Sequence, residues 1–240
     1  MANQTPQEID SATKLPIGTL VANPAPARVP ERIALEGHYC RLEPLNPERH
    51  GDQLFAASTP PDAAARFLYL PVQAPVDRRD FDAWITTRSV SVDPMYFVVI
   101  DKSTGLIGGR QSFLRIDPSN QSIEIGDIYW GPSISRTRVS TEANFLFAKY
   151  AFDVLGYRRY EWKCNALNAP SRSSALRFGF SYEGLFRRAA IVKGRSRDTA
   201  WYAMIDDEWP DIKQAYEQWL DPENFDAAGQ QRTSLRARRD

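Results

Sequence analysis

SIEIGDIYW at 122–130, GPSISRTRV at 131–139 and STEANFLFAKYAFDVLG at 140–156 decide the fold. The first stretch is a short apolar run with β-branched and aromatic residues, which predicts a strand. The second carries Gly131 and Pro132 and predicts a turn. In the third, Ala143, Leu146, Phe147, Tyr150, Ala151, Val154 and Leu155 recur at spacings of three and four. That period predicts an amphipathic helix over 140–155, closed by Gly156. A strand, a tight loop and a helix start form an anion site, because the first helical N–H groups have no internal partner. Ser135, Arg136, Thr137 and Arg138 add hydroxyls and guanidinium forks that suit a pyrophosphate.

Working outward, strands are expected over 33–42, 95–100, 106–116, 160–165, 181–192 and 197–205. Helices are expected over 47–57, 77–91, 170–178 and 211–220, with Asn46 and Pro47 opening the first. Three successive strands before the long helix imply an antiparallel meander, and the strand–helix–strand unit adds a parallel pair. The fold class is therefore α/β in the mixed α+β sense: one domain with a mixed, mostly antiparallel sheet of about seven strands and helices on both faces. Three segments are expected: a Pro-rich arm at 1–31 without regular structure of its own, a domain at 32–225 and a solvated basic tail at 226–240.

Composition narrows the function classes. With 30 basic and 30 acidic side chains the formal net charge is zero, which argues against a nucleic-acid partner held by bulk charge. No run approaches the roughly 20 apolar residues of a membrane span, and the N-terminus lacks the apolar core of a signal peptide. A cytoplasmic protein is expected. His38, His50, Cys40 and Cys164 show no metal-ligand spacing, so no metal is expected, and Cys164 reads as an inert buried thiol.

A second motif, CNALNAPSRSSALRFGFSYEG at 164–184, follows the next strand. Asn168 and Pro170 open a short helix there, and Gly179 closes it. Together with EGHYCRLEPL (36–45), IEIG (123–126), TEA (141–143), LGYRRYEWKCNALNAPS (155–171) and KGRSRDTAW (193–201), it resembles the GNAT N-acetyltransferase superfamily. The branch it resembles is that of the ribosomal-protein N-terminal acetyltransferases of RimJ/RimL type, over residues 36–209.

The resemblance implies acetyl-CoA as co-substrate, lying between a splayed fourth and fifth strand, here 123–130 and 160–165. It implies main-chain contacts from Ile128, Tyr129 and Trp130 to the pantetheine and a pyrophosphate loop over Ser135, Arg136, Thr137, Arg138, Val139 and Ser140. The loop departs from the family pattern, since Arg138 stands where a glycine is expected. Either the loop follows another path, or Arg136 and Arg138 take over part of the amide contacts. Asn168 matches an asparagine that contacts the pantetheine arm, beside its plain reading as an N-cap. Ser171 matches a serine near the CoA sulfur, with a local backbone role as its alternative.

Transfer to an amine needs a proton acceptor. The family glutamate aligns with Ala190, which leaves Asp127, Glu124 and Glu161, with Asp127 the first choice. The expected acceptor is a primary amine, either a protein N-terminus or a small amino-acid-like metabolite, attacking directly in a ternary complex. A homodimer stays open. The competing reading is a non-catalytic acyl-CoA-binding or interaction module on the same fold.

Overall fold

The computed structural model describes residues 7–235 and 237. Among them the main sheet has eight strands rather than about seven, in the order β3-β4-β5-β6-β7-β8-β10-β9. They are β3 (Leu35–Glu36), β4 (Cys40–Pro44), β5 (Met95–Asp101), β6 (Leu106–Asp117), β7 (Ser122–Trp130), β8 (Arg159–Asn165), β9 (Ser181–Val192) and β10 (Arg195–Ile205). Every neighbouring pair is antiparallel except β7 and β8. The extra strand arises because the expected strand at 33–42 breaks in two at Gly37. Around that break the N–H groups of His38, Tyr39 and Cys40 turn to the carboxylate of Glu142.

Helices α1 (Pro47–Ser58), α2 (Ala63–Arg66) and α3 (Arg78–Ser89) lie between β4 and β5 in the chain. Asn46 caps α1 by accepting from the Arg49 N–H at 2.9 Å, as its position before Pro47 implies. The one-turn α2 has too few residues to show a period and was not expected. Leu54, Phe81 and Ile85 pack with Tyr96, Val98 and Ile107 into one core on this face of the sheet. The opposite face is covered by α4 (Arg138–Lys149) and α6 (Trp209–Leu220). There Phe113 and Phe147 stack with centroids 3.8 Å apart, and Phe145 stacks on Tyr216. The long helix does not stay α throughout: its last turns, Tyr150–Leu155, are a π-helix that ends at Gly156 with φ +80°. Short α5 (Ala169–Arg177) follows β8.

Each chain end carries one feature beyond the sequence reading. The arm holds a small exposed hairpin, β1 (Gln7–Ile9) with β2 (Pro16–Gly18). Its turn is set locally, since Asp10 accepts from the Thr13 N–H at 2.7 Å and the Thr13 hydroxyl at 2.6 Å. The tail, expected to be solvated, is exposed or half-buried over 226–234 and docks only at its far described end. Leu235 and Ala237 are buried, and the Trp219 indole donates to Gln231 at 2.9 Å. Arg236, Arg238 and Arg239 lie outside the described residues. No described helix is long and apolar enough to cross a membrane.

Candidate functional site

The site begins where two strands part. β7 and β8 pair in parallel only from Ser122 with Arg159 to Ile125 with Trp162. From Gly126 onward β7 has no β8 partner, so its edge opens into a cleft of about 2300 Å³. Ladder pairing with β6 slips at the same point. Gly126 faces Ser112 and Tyr129 faces Arg110, so Asp127 and Ile128 together oppose Gln111. This β-bulge, with Asp127 at φ +45°, bends the strand beside the opening.

The cleft is lined by Glu124, Asp127, Ile128, Tyr129, Trp130, Asn168, Ser171 and every residue from Ser135 to Ser140. Of the candidate catalytic and cofactor-binding residues, Glu161 alone is not part of its wall. It is held at the paired end of the strands by Arg159 at 2.6 Å and Lys163 at 2.5 Å.

At one end the loop after β7 runs into α4. Thr137 is the N-cap and accepts from the Val139 N–H at 3.2 Å. Arg138 is therefore the first helical residue, and the left-handed backbone falls two residues earlier, at Arg136 with φ +61°. The difficulty expected of an arginine in a glycine position is absent at 138. Nor does the Arg138 guanidinium face an anion: it lies over the Tyr39 ring at 4.3 Å and the Phe225 ring at 5.3 Å. The loop hydroxyls are also engaged. Ser135 donates to the Trp130 carbonyl at 2.6 Å, Thr137 to that of Ile134 at 2.8 Å and Ser140 to that of Thr137 at 3.1 Å. What remains open among the described residues is the main chain: the N–H groups of Arg136, Arg138 and Ser140 make no hydrogen bond there. The Arg136 guanidinium has no ion pair among the described residues either.

Asn168 caps α5 by accepting from the Ser171 N–H at 3.2 Å. Its local role is realised and leaves its amide group on the cleft wall. The Trp162 indole donates to Ser171 Oγ at 3.0 Å, and the serine's own hydrogen can turn to the Cys164 sulfur or to a group in the cleft. Beside it stands Cys164, a buried free thiol whose pKa is raised chiefly by burial.

The three carboxylates differ in environment. Asp127 accepts from the Tyr96 hydroxyl at 2.5 Å and pairs with Arg110 at 3.0 Å, both buried. Burial alone would raise its pKa, but the Arg110 charge and the Tyr96 hydrogen bond outweigh that and lower it. Glu124 is paired with Arg115 at 2.7 Å and Lys163 at 2.9 Å, yet burial dominates and its pKa is raised. For Glu161 burial is overcome by Lys163 and Arg159, and its pKa is lowered. Asp127, the first choice from sequence, is thus the weaker base of the two that reach the cleft. Tyr96, Arg110 and Lys163 were not foreseen, because only strand register and the bulge bring them to these carboxylates. A faint signal existed for Lys163, which alternates with Glu161 along β8. No group of three or more His, Cys, Asp or Glu among the described residues could hold a metal ion.

Comparison with known proteins places this architecture. A solved GCN5-related N-acetyltransferase from Brucella melitensis superposes with a TM-score of 0.88 at 57% identity, covering 90% of this chain and 97% of that one. The ribosomal-protein-serine acetyltransferase of Escherichia coli (strain K12) is 35% identical over 111 residues, 45% of this chain and 60% of that protein. An uncharacterized N-acetyltransferase p20 of Bacillus licheniformis is 30% identical over 135 residues, 55% of this chain and 73% of that protein. These relatives agree with the RimJ/RimL resemblance carried by the motifs. The model of the GNAT acetyltransferase domain matches residues 40–181, the span from β4 through the splayed pair to the start of β9, and the chain belongs to the GNAT acetyltransferase family, whose acyl donor is acetyl-CoA.

Proposed function

We propose that this chain transfers the acetyl group of acetyl-CoA to a primary amine, a protein N-terminus or a small amine metabolite, by direct attack in a ternary complex. The observation that carries the reading is the end of β7–β8 pairing at Ile125 and Trp162, which opens one cleft between anion-seeking amides and buried carboxylates. The pantetheine would run along the exposed edge of Ile128, Tyr129 and Trp130 as an added strand does. The diphosphate would take the unpaired N–H groups of Arg136, Arg138 and Ser140, with the Arg136 side chain. Asn168 would steady the pantetheine arm from the opposite wall.

The amine nitrogen attacks the thioester carbonyl and loses its proton to Glu124, directly or through one water. Both line the cleft, and the raised basicity of Glu124 favours it over Asp127, whose pKa is lowered. The Ile128 N–H at the bulge would bind the developing oxyanion. The C–S bond then breaks; Ser171 passes its hydroxyl proton to the departing thiolate and regains one from water as protonated Glu124 releases its own, with Trp162 holding the serine in place.

Thiol release from acetyl-CoA across a panel of amines, beside a thermal shift with CoA, tests this reading. Turnover with at least one amine class and a CoA-dependent rise in Tm are expected. A rise in Tm with no turnover on any amine would leave a binding module, and no rise would remove the cofactor assignment.

A further inference from the structure

Among the described residues, the Arg197 guanidinium in the cleft has no counter-ion of its own. Arg197 stands on β10 opposite Ala190 of β9 and lines the cleft. Its Nε is buried and has no hydrogen-bond partner. The carboxylate that acts on it through space, Glu124, is already taken by Arg115 at 2.7 Å and Lys163 at 2.9 Å. Burial lowers the guanidinium pKa, as expected for a charge partly drawn out of water. Four residues along the same strand, past a register shift in its pairing with β9 between Arg197 and Thr199, the indole Nε1 of Trp201 is also buried and unpartnered. The Lys163 ammonium sits over that indole ring at 3.8 Å. The unmet groups on β10 among the described residues are thus both donors. Folded proteins rarely bury donors and charges unmet, and a ligand is one way to meet them. The guanidinium fork matches a carboxylate with two parallel hydrogen bonds.

We propose that Arg197 sets acceptor specificity by pairing with a carboxylate on the amine substrate. The proposal rests on the acetyl-transfer reading above. Arg197 lies on the hairpin side of the cleft, and the hairpin is tied across the opening by the Lys193 ammonium, which donates to the Phe67 carbonyl at 2.7 Å. The carboxylate so held would leave the amine facing Glu124. The same chemistry is available from a free amino acid or from an acidic side chain near a peptide N-terminus.

The test compares acceptor pairs. One arm sets a free amino acid against its carboxamide. The other sets a short peptide amide with aspartate after its first residue against the same peptide with asparagine there. In the first arm the carboxamide lowers the amine's own pKa and so supplies more neutral amine, which makes any preference for the carboxylate independent of basicity. Wild-type protein should favour the carboxylate member at least tenfold in kcat/KM in one arm, and that arm names the source. Arg197→Met should abolish the preference through the acceptor KM, leave the acetyl-CoA KM unmoved and keep Tm, because the half-buried group removed holds an unpartnered Nε and no ion pair among the described residues. Arg197→Lys should restore part of the preference. Equal use of both members in both arms, a preference that survives in Arg197→Met, or an equal change in the acetyl-CoA KM would overturn the proposal. Turnover of neutral amines without preference would sink this inference alone. Absence of both turnover and a CoA-induced Tm rise would sink the acetyl-transfer reading with it.

Discussion

A Cβ built on Gly37 would stand 2.4 Å from Cδ of Glu142, so the glycine and the carboxylate are fitted to each other. Glu142 is 3% exposed and accepts from the N–H groups of His38, Tyr39 and Cys40, each at 2.7 Å. The contact ties the turn between β3 and β4 to the first turns of α4, the helix that follows the proposed diphosphate loop. Gly37→Ala must push this carboxylate aside, at a cost of about 1–3 kcal/mol. Glu142→Ala leaves three N–H groups without their acceptor and should cost about 3 kcal/mol or more. Urea denaturation checks both. A Glu142→Ala protein as stable as wild type would mean that water replaces the carboxylate without loss.

That contact shows where sequence reading stops. EGHYC and TEA were each recognisable as family marks, but nothing local says that Glu142 reaches back to residues 38–40. The local features were legible: the strand 122–130, the long helix, and Asn168 as a cap three residues before the N–H it accepts. The features set by register were not. The bulge at Asp127, the Tyr96 and Arg110 partners and the unpaired Arg197 depend on how strands far apart in the chain align. The burial of Leu235 was hidden for a related reason, since a short polar tail shows no period to announce its docking.

Asp127 and Glu124 should separate by pH. In Asp127 the folded-state pKa is depressed, so its pairing stabilises the fold above the unfolded-state value and is lost as pH falls through the folded one. In Glu124 the folded-state pKa is raised, so the ionised form is a cost at neutral pH that lessens as pH falls. Asp127→Asn strands the buried Arg110 charge and should cost about 3–5 kcal/mol. Denaturation midpoints followed from neutral to acid pH should converge for wild type and Asp127→Asn. Parallel curves would place the contribution of Asp127 elsewhere.

Glu124 as proton acceptor makes a kinetic claim. It works deprotonated, so kcat/KM should rise with pH through a limb lying above the ordinary glutamate range. Glu124→Gln should reduce kcat/KM by about 100-fold or more and abolish the limb. A profile unchanged in Glu124→Gln would assign proton removal to solvent or to another group.

Ser171→Ala removes a proposed proton donor while its backbone N–H keeps the cap to Asn168. The expected result is a fall in kcat of about 100-fold. The stability loss should stay near 1 kcal/mol, chiefly for the hydrogen bond from Trp162. The fall should shrink for an acyl donor whose thiol is more acidic, because such a thiolate leaves without help. An equal fall for both donors would make Ser171 a positioning residue only.

Arg138→Gly provides the sharpest test of the loop, because it restores the residue expected from the family pattern. That change should not improve CoA binding. Residue 138 is the first of α4 and already helical, while the left-handed backbone is at Arg136. The glycine would give up the contacts with Tyr39 and Phe225 and add the backbone entropy of a glycine in the first helical turn. A loss of about 1–2 kcal/mol in stability is expected, with CoA affinity equal or weaker. Arg136→Gly is the informative partner. It suits φ +61°, so the fold should hold, yet it deletes the unpaired guanidinium beside the open N–H groups. CoA should then bind more weakly and with a shallower dependence on salt, measured by titration calorimetry at two ionic strengths. If Arg138→Gly tightened CoA binding, the family glycine would act at 138 after all, and the placement of the diphosphate would shift into the helix start.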